Sequence, residues 1–182
     1  MPLFPPASRS LLHSRDIALR GFQRDDGLFD VEAHLTDTKT YPLANQHRGG
    51  IPAGEPLHGM WMRLTVNEDM EIVRCEASTD FAPYGICPQA APNCARLEGV
   101  RIGPGFGRAV KERVGGTVGC THLRELLGQM ATVAFQTLYP VRRRREQEAR
   151  SASARSPLIG TCLAYAPDSP VVRERWPEAA ES

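Results

Sequence analysis

Two side chains able to hold a proton or a metal stand two residues apart in Gly119-Cys120-Thr121-His122-Leu123. A thiol beside an imidazole suits one of two chemistries. One is nucleophilic catalysis, with the cysteine attacking and the histidine moving the proton. The other is joint ligation of a soft metal ion by thiolate and imidazole. The stretch opens a strong helix pattern: Leu123, Leu126, Leu127, Met130, Ala134 and Leu138 recur at the spacing of one helix face. Gly115, Gly116 and Gly119 mark a loop before it, and Pro140 stops the run. The spacing therefore predicts a helix over 121–138 with Cys120 and His122 at its N-terminal end. Free N–H groups and the positive end of the helix dipole favour a thiolate there. The bland alternative is a small buried cysteine and a histidine that caps the helix. Residues at i and i+2 seldom face each other on a helix. On sequence alone, then, His122 serves a shared metal more easily than it deprotonates Cys120.

The chain holds five cysteines, Cys75, Cys87, Cys94, Cys120 and Cys162. An odd number without a secretory pattern argues for free thiols or metal ligation rather than a disulfide framework. Cys87 precedes Pro88, a residue suited to a first helical turn, and a helix is expected over 89–97. Cys87 would then share the helix-start environment of Cys120. Cys75 reads as a packed strand residue and Cys94 as helix packing. The metal reading takes Cys87, Cys120, His122 and Cys162 as ligands, with Asp80 as another candidate, for zinc, iron or an iron–sulfur cluster. There is no paired C-x-x-C to strengthen it. By itself Asp80 reads as a helix cap or a base, and the cap is the favoured reading. The catalytic reading takes Cys120 as nucleophile and His122 as base, or His34 or His58 in that role.

The positioning elements follow from period. Phe29, Val31, Ala33 and Leu35 alternate with Asp30, Glu32 and His34, which is a strand with His34 on its polar face. Ile17 to Phe22 begins a strand before it, and Asp25-Asp26-Gly27 is a hairpin signal. Residues 36–59 are rich in Gly and Pro and carry Asp37, His47 and His58. So long a loop is expected to be either functional, lying across a site, or mobile, and its glycines fit no P-loop or dinucleotide pattern. Met60, Met62, Leu64 and Val66 give a third strand. Glu71, Val73, Cys75 and Ala77 give a fourth, alternating with Ile72, Arg74 and Glu76. A short helix is expected over 104–114, with Phe106, Val110 and Val114 inward. The fold class is α+β: a small antiparallel β-meander followed by C-terminal helices packed on one face. Residues 1–15 read as a flexible arm, 16–140 as one domain, 141–157 as a basic linker and 158–182 as a segment docking back on the domain.

Composition narrows the functional classes. The 182 residues are 41% hydrophobic and 24% charged with net charge +1, an ordinary soluble balance with no global field toward nucleic acid or membrane. No apolar run reaches the ~18 residues of a membrane span. Met1 to Pro6 lacks a basic-then-apolar leader pattern, so the expectation is cytoplasmic. Arg142 to Arg145 form a basic run without interleaved aromatics, a solvated stretch rather than a nucleic-acid site. If the thiols were merely buried, the remaining reading is a non-catalytic accessory subunit with a protein partner or a homodimeric mate.

Several stretches together carry a resemblance: His34 to Tyr41, Arg48 to Trp61, Ile86-Cys87-Pro88, Gly119 to Leu123, and Val172 to Pro177. They resemble a bacterial family catalogued only as a domain of unknown function, which implies no activity. In element order the chain is also similar to NifU-like scaffold and SufE-like sulfur-acceptor proteins. That likeness implies a cluster or sulfur role for the cysteine after the sheet and the one at the last helix start, matched here by Cys87 and Cys120. The scaffold's middle cysteine has no match unless Cys94 or Cys162 supplies it, and His122 matches no scaffold ligand.

Overall fold

Four strands in chain order build one antiparallel sheet. They are β1 (His13–Gln23), β2 (Phe29–Lys39), β3 (Pro56–Val66) and β4 (Ile72–Phe81), each paired with the next. The computed structural model describes residues 4–148, 156 and 158–177. Alternation decides which face is covered. Phe29, Val31, Ala33 and Leu35 of β2 and Met60, Met62, Leu64 and Val66 of β3 are all buried on one face, as a half-covered sheet requires. The other face carries Glu32, Arg63 and Glu76 in salt-bridged neighbours, with His34 stacked on Trp61 at 3.8 Å between ring centres.

Two strands depart from the alternation. β1 begins at His13, inside the stretch expected to be an arm, because its polar start still finds β2 as a partner out to Lys39. In β4, Ile72 and Cys75 are both buried while Val73 is exposed. The register slips between Thr65 and Val66, so one residue of β4 is extra. Such a bulge flips the faces, and simple alternation from Glu71 places Val73 on the wrong one.

Helical elements then cover the buried face. A 3-10 helix spans Cys87–Leu97 and packs on β4. The sequence pattern suggested a regular helix here. Pro92 lies inside it and has no N–H to donate, which favours the tighter form. Helix α1 (Phe106–Val114) buries Phe106, Val110 and Val114. Helix α2 (Thr121–Thr137) buries Leu123, Leu126, Leu127, Met130 and Ala134 against β1, β2 and β3. The architecture is thus α+β, strands first and helices after. Gly21 lets α2 approach β1: a methyl there would fall 1.8 Å from Thr137 Oγ1.

Helix α3 (Tyr139–Glu148) contains the basic run, so the first part of the expected linker is helical; residues 149–155 and 157 of that linker lie outside the described residues. The described residues between 141 and 177 belong to a second compact unit. In it, helix α4 (Pro170–Arg175) is capped by Ser169, whose hydroxyl accepts from the Val172 N–H at 3.2 Å. Among the described residues no helix is long and apolar enough to cross a membrane.

Candidate functional site

Strand parity sends three polar side chains to the covered face at one end of the sheet. Asp37 continues the series from Phe29 to Leu35, and His58 precedes the series from Met60 to Val66. Arg15 on β1 pairs across from Asp37, and Asp37 pairs across from His58. The N-terminus of α2 lies over this row.

Asp37 is only 1% exposed. Arg15 donates to both its oxygens, Nε to Oδ1 at 2.7 Å and Nη2 to Oδ2 at 2.8 Å. Arg15 Nη1 also donates to Glu125 Oε2 of α2 at 2.8 Å, so the guanidinium ties sheet to helix. His58 Nδ1 lies 3.0 Å from Asp37 Oδ2, and His13 Nε2 lies 3.5 Å from Oδ1. Above them, the His122 ring sits 3.9 Å from the His58 ring, tilted by 35°.

His122 uses its two ring nitrogens in opposite directions. Nε2 is 3.7 Å from Asp37 Oδ2, and Nδ1 is 3.8 Å from Cys120 Sγ. At 3.7 Å Asp37 acts on His122 as a charge rather than as a hydrogen-bond partner. The i, i+2 objection to a Cys120–His122 contact fails for a local reason. Cys120 is the N-cap, with extended backbone (φ −103°, ψ 132°), and its carbonyl accepts the first helical bond from Arg124 at 2.9 Å. An N-cap side chain folds back over the first turn, which brings Sγ to His122. Gly119, just before Cys120, lets the chain pass close to the end of α1, because a methyl there would meet the Val114 carbonyl oxygen at 2.0 Å.

The electrostatics follow from these contacts. Burial pushes the Asp37 carboxyl up, but the Arg15 hydrogen bonds and charge and the His58 contact outweigh it, so the group is held below the ordinary carboxylate range. Burial likewise pushes the Cys120 thiol up. It is overcome by the His122 contact and by the backbone N–H groups of Leu123 and His122, and the net shift is downward. The sulfur makes no full capping bond, yet these N–H groups still favour its anion. Cys120 in turn raises His122, against burial, while burial and the neighbouring His122 charge lower His58. These shifts move Cys120 toward its thiolate and His122 toward its imidazolium, beside a carboxylate held low and a second histidine shifted toward its neutral form.

Each of the other expected residues has its own surroundings. Cys87 opens the 3-10 helix and is half-buried; Cys162 is exposed in the second unit. Among the described residues the ligand atoms that gather within 4.8 Å of one another belong to Asp37, His58 and His122, and neither Cys87 nor Cys162 is among them. Asp80 is no cap: it accepts from Trp61 Nε1 at 3.0 Å within the sheet. Cys75 and Cys94 are buried, as expected of packing residues. Arg15 was not singled out from the sequence, and Asp37 was noted only as a loop residue, although a carboxylate continuing an apolar alternation was a signal available there.

Residues 13–136 match a family model described as a protein of unknown function, DUF2889. The chain belongs to this DUF2889 family. The matched span runs from His13, which reaches Asp37, past Cys120 and His122, so the whole constellation lies inside the DUF2889 region and Cys162 lies beyond it. No curated protein and no solved structure matched the chain.

Proposed function

We propose that the DUF2889 domain is a cysteine-dependent acyl-transfer enzyme, a hydrolase or transferase acting on an ester, thioester or amide carbonyl. The observation that carries this reading is the placement of the His122 ring between Cys120 Sγ and Asp37. Nucleophile, proton carrier and carboxylate in that order form the triad logic of thiol and serine enzymes on unrelated folds. The Cys120 thiolate attacks the carbonyl carbon, and the carbonyl electrons move to oxygen. As the C–X bond breaks, His122 gives its proton to the leaving group, and the acyl group stays on sulfur as a thioester. Neutral His122 then takes a proton from water or an acceptor alcohol or amine as it attacks the thioester, and the thiolate leaves. Asp37 stabilises each charged state of His122. Arg15 and His58 hold Asp37 in place and ionised, which makes them positioning residues. Nucleophile–base distances are commonly longer without substrate and tighten in the reactive complex.

The test is incubation with activated aryl esters and acyl thioesters, followed by intact-mass spectrometry. An acyl adduct on Cys120, with turnover that disappears in Cys120→Ala, supports the reading. Adducts on other residues only, or turnover unchanged in that variant, overturn it.

A metal reading is favoured by one specific observation, the 4.8 Å grouping of Asp37, His58 and His122. Two imidazoles and a carboxylate suit zinc or iron. Two features oppose it. Arg15 already holds both Asp37 oxygens, and Cys120 faces the His122 nitrogen turned away from the group. Elemental analysis of protein purified without chelators decides: stoichiometric metal lost in His58→Ala would replace the acyl-transfer reading.

A further inference from the structure

A groove of about 410 Å³ lies between α1 and α2. Its apolar lining is Phe106 and Val110 of α1 and Leu127 of α2, together with Gly107 and Gly128. The two glycines keep it open. A methyl on either would meet nothing within 4 Å, unlike Gly21 and Gly119, where a methyl would collide. Gly128 lies inside α2, where alanine serves a helix better, so packing gives no reason for its missing side chain. Lys111, Arg124 and Glu125 form a charged rim. Arg15 donates to Glu125 at 2.8 Å. Among the described residues the side chains of Lys111 and Arg124 make no hydrogen bond or ion pair. Two unanswered cations thus border an apolar groove. Their end of the groove is the one nearer the nucleophile. The chain at Gly119 passes the Val114 carbonyl, so α1 ends beside the start of α2. Lys111 stands about one turn before Val114, and Arg124 about one turn, roughly 6 Å along the axis, after Cys120. Gly107 and Gly128 each lie one further turn away. Glu125 joins groove to site, since the Arg15 that donates to it also forks Asp37.

We infer that the groove between α1 and α2 binds an apolar carboxylic acid and that the substrate is an acyl derivative of such an acid, an N-acyl apolar amino acid. Its apolar side chain lies in the space left by Gly107 and Gly128, its carboxylate meets Lys111 and Arg124, and its acyl bond reaches toward Cys120. As a substrate site the groove rests on the acyl-transfer reading; as a binding site it stands on its own geometry. Charge selects the ligand. Lys111 and Arg124 against Glu125 leave the rim one positive charge in excess, which matches a monoanion such as a carboxylate better than a doubly charged phosphate. Charge-assisted hydrogen bonds from both cations to one carboxylate are stronger than bonds to a neutral amide. A groove of this volume falls in the range of small-ligand sites, mostly apolar with a few placed polar groups. In the reaction the Cys120 thiolate attacks the acyl carbon and the C–N bond breaks. The nitrogen takes the His122 proton, and the amino acid leaves the groove with its carboxylate unchanged. The acyl group stays on sulfur until water takes it, giving one proton to His122.

The full-length Cys120→Ala chain, in which no acyl bond is broken during the experiment, is titrated calorimetrically with N-acetyl-L-leucine, N-acetyl-L-leucinamide and N-acetylglycine. N-acetyl-L-leucine is expected to bind about tenfold more tightly than the amide, which lacks the charge, and than the glycine compound, which lacks the apolar side chain. Adding Arg124→Gln weakens N-acetyl-L-leucine by about tenfold and leaves the amide unchanged. Adding Gly128→Leu abolishes binding while the urea midpoint stays at or above its starting value, so the loss is not a loss of fold. The inference is overturned if the three compounds bind equally or not at all, or if Gly128→Leu binds as before. It is overturned also if Gly128→Leu turns a dimer into a monomer in sedimentation, which makes the groove a contact between copies. None of these readouts needs an acyl adduct on Cys120, so failure of the groove and failure of the acyl-transfer reading are distinct.

Discussion

Asp37 is the residue on which most of the site converges. It is buried and ionised, and it is tolerated only because Arg15 forks both its oxygens and His58 meets one of them. Asp37→Asn leaves Arg15 partly uncompensated, and we expect a loss of roughly 2–4 kcal/mol in chemical denaturation, reduced because Arg15 is about a third exposed. The pH dependence has a definite sign. The folded carboxyl is held low, so its contribution is complete above the unfolded value of about 3.9. It is lost as pH falls through the still lower folded value. Wild type should therefore lose stability below about pH 4 by a component that Asp37→Asn lacks, readable from urea midpoints across pH. Cys120 and His122 were legible from type and spacing alone. Their mutual contact was not, since the i, i+2 rule holds inside a helix and Cys120 stands at its border. Arg15 was hidden for another reason: its segment is polar, and only pairing with β2 makes it a strand.

At the scale of elements, α2 does two jobs: its apolar face fastens it to the sheet, and its start presents the thiol. Leu126 is fully buried on that face, and Leu126→Ala should cost about 2–5 kcal/mol in denaturant titrations. Close approach sets the angle of docking. Gly21→Ala would drive a methyl into Thr137 Oγ1, costing about 1–3 kcal/mol. Adding Thr137→Ala removes that atom, so the double variant should recover part of the loss, a non-additivity that a double-mutant cycle measures. Periodicity read α1, α2 and the covered faces of β2 and β3 correctly, because burial on one side imposes it. It failed at β4, where the bulge near Val66 shifts the phase, and over 87–97, where Pro92 interrupts an otherwise helical pattern. The Gly- and Pro-rich stretch after β2 looked as if it began at Thr36. β2 in fact runs to Lys39 and β3 starts at Pro56, so two residues assigned to that loop, Asp37 and His58, are strand residues aimed at the site.

For the whole molecule, near-neutral charge and the absence, among the described residues, of a helix long and apolar enough to cross a membrane leave the site as the main clue to role. The DUF2889 match spans the sheet and most of α2, and with them the constellation. The α+β order was readable throughout, since strands of period two precede helices of period 3.6. Convergence was not readable, because nothing local reveals that residues 15, 37, 58 and 122 share one end of a sheet. That convergence, acting through His122 on Cys120, is the central claim. Its most direct test is the pH dependence of Cys120 alkylation by iodoacetamide, located by peptide mass spectrometry, in wild type and His122→Ala. We predict a wild-type midpoint clearly below the ordinary thiol value of about 8.5, moving up toward that value when the imidazole is removed. A wild-type midpoint at or above the ordinary value, unmoved in His122→Ala, would contradict the account.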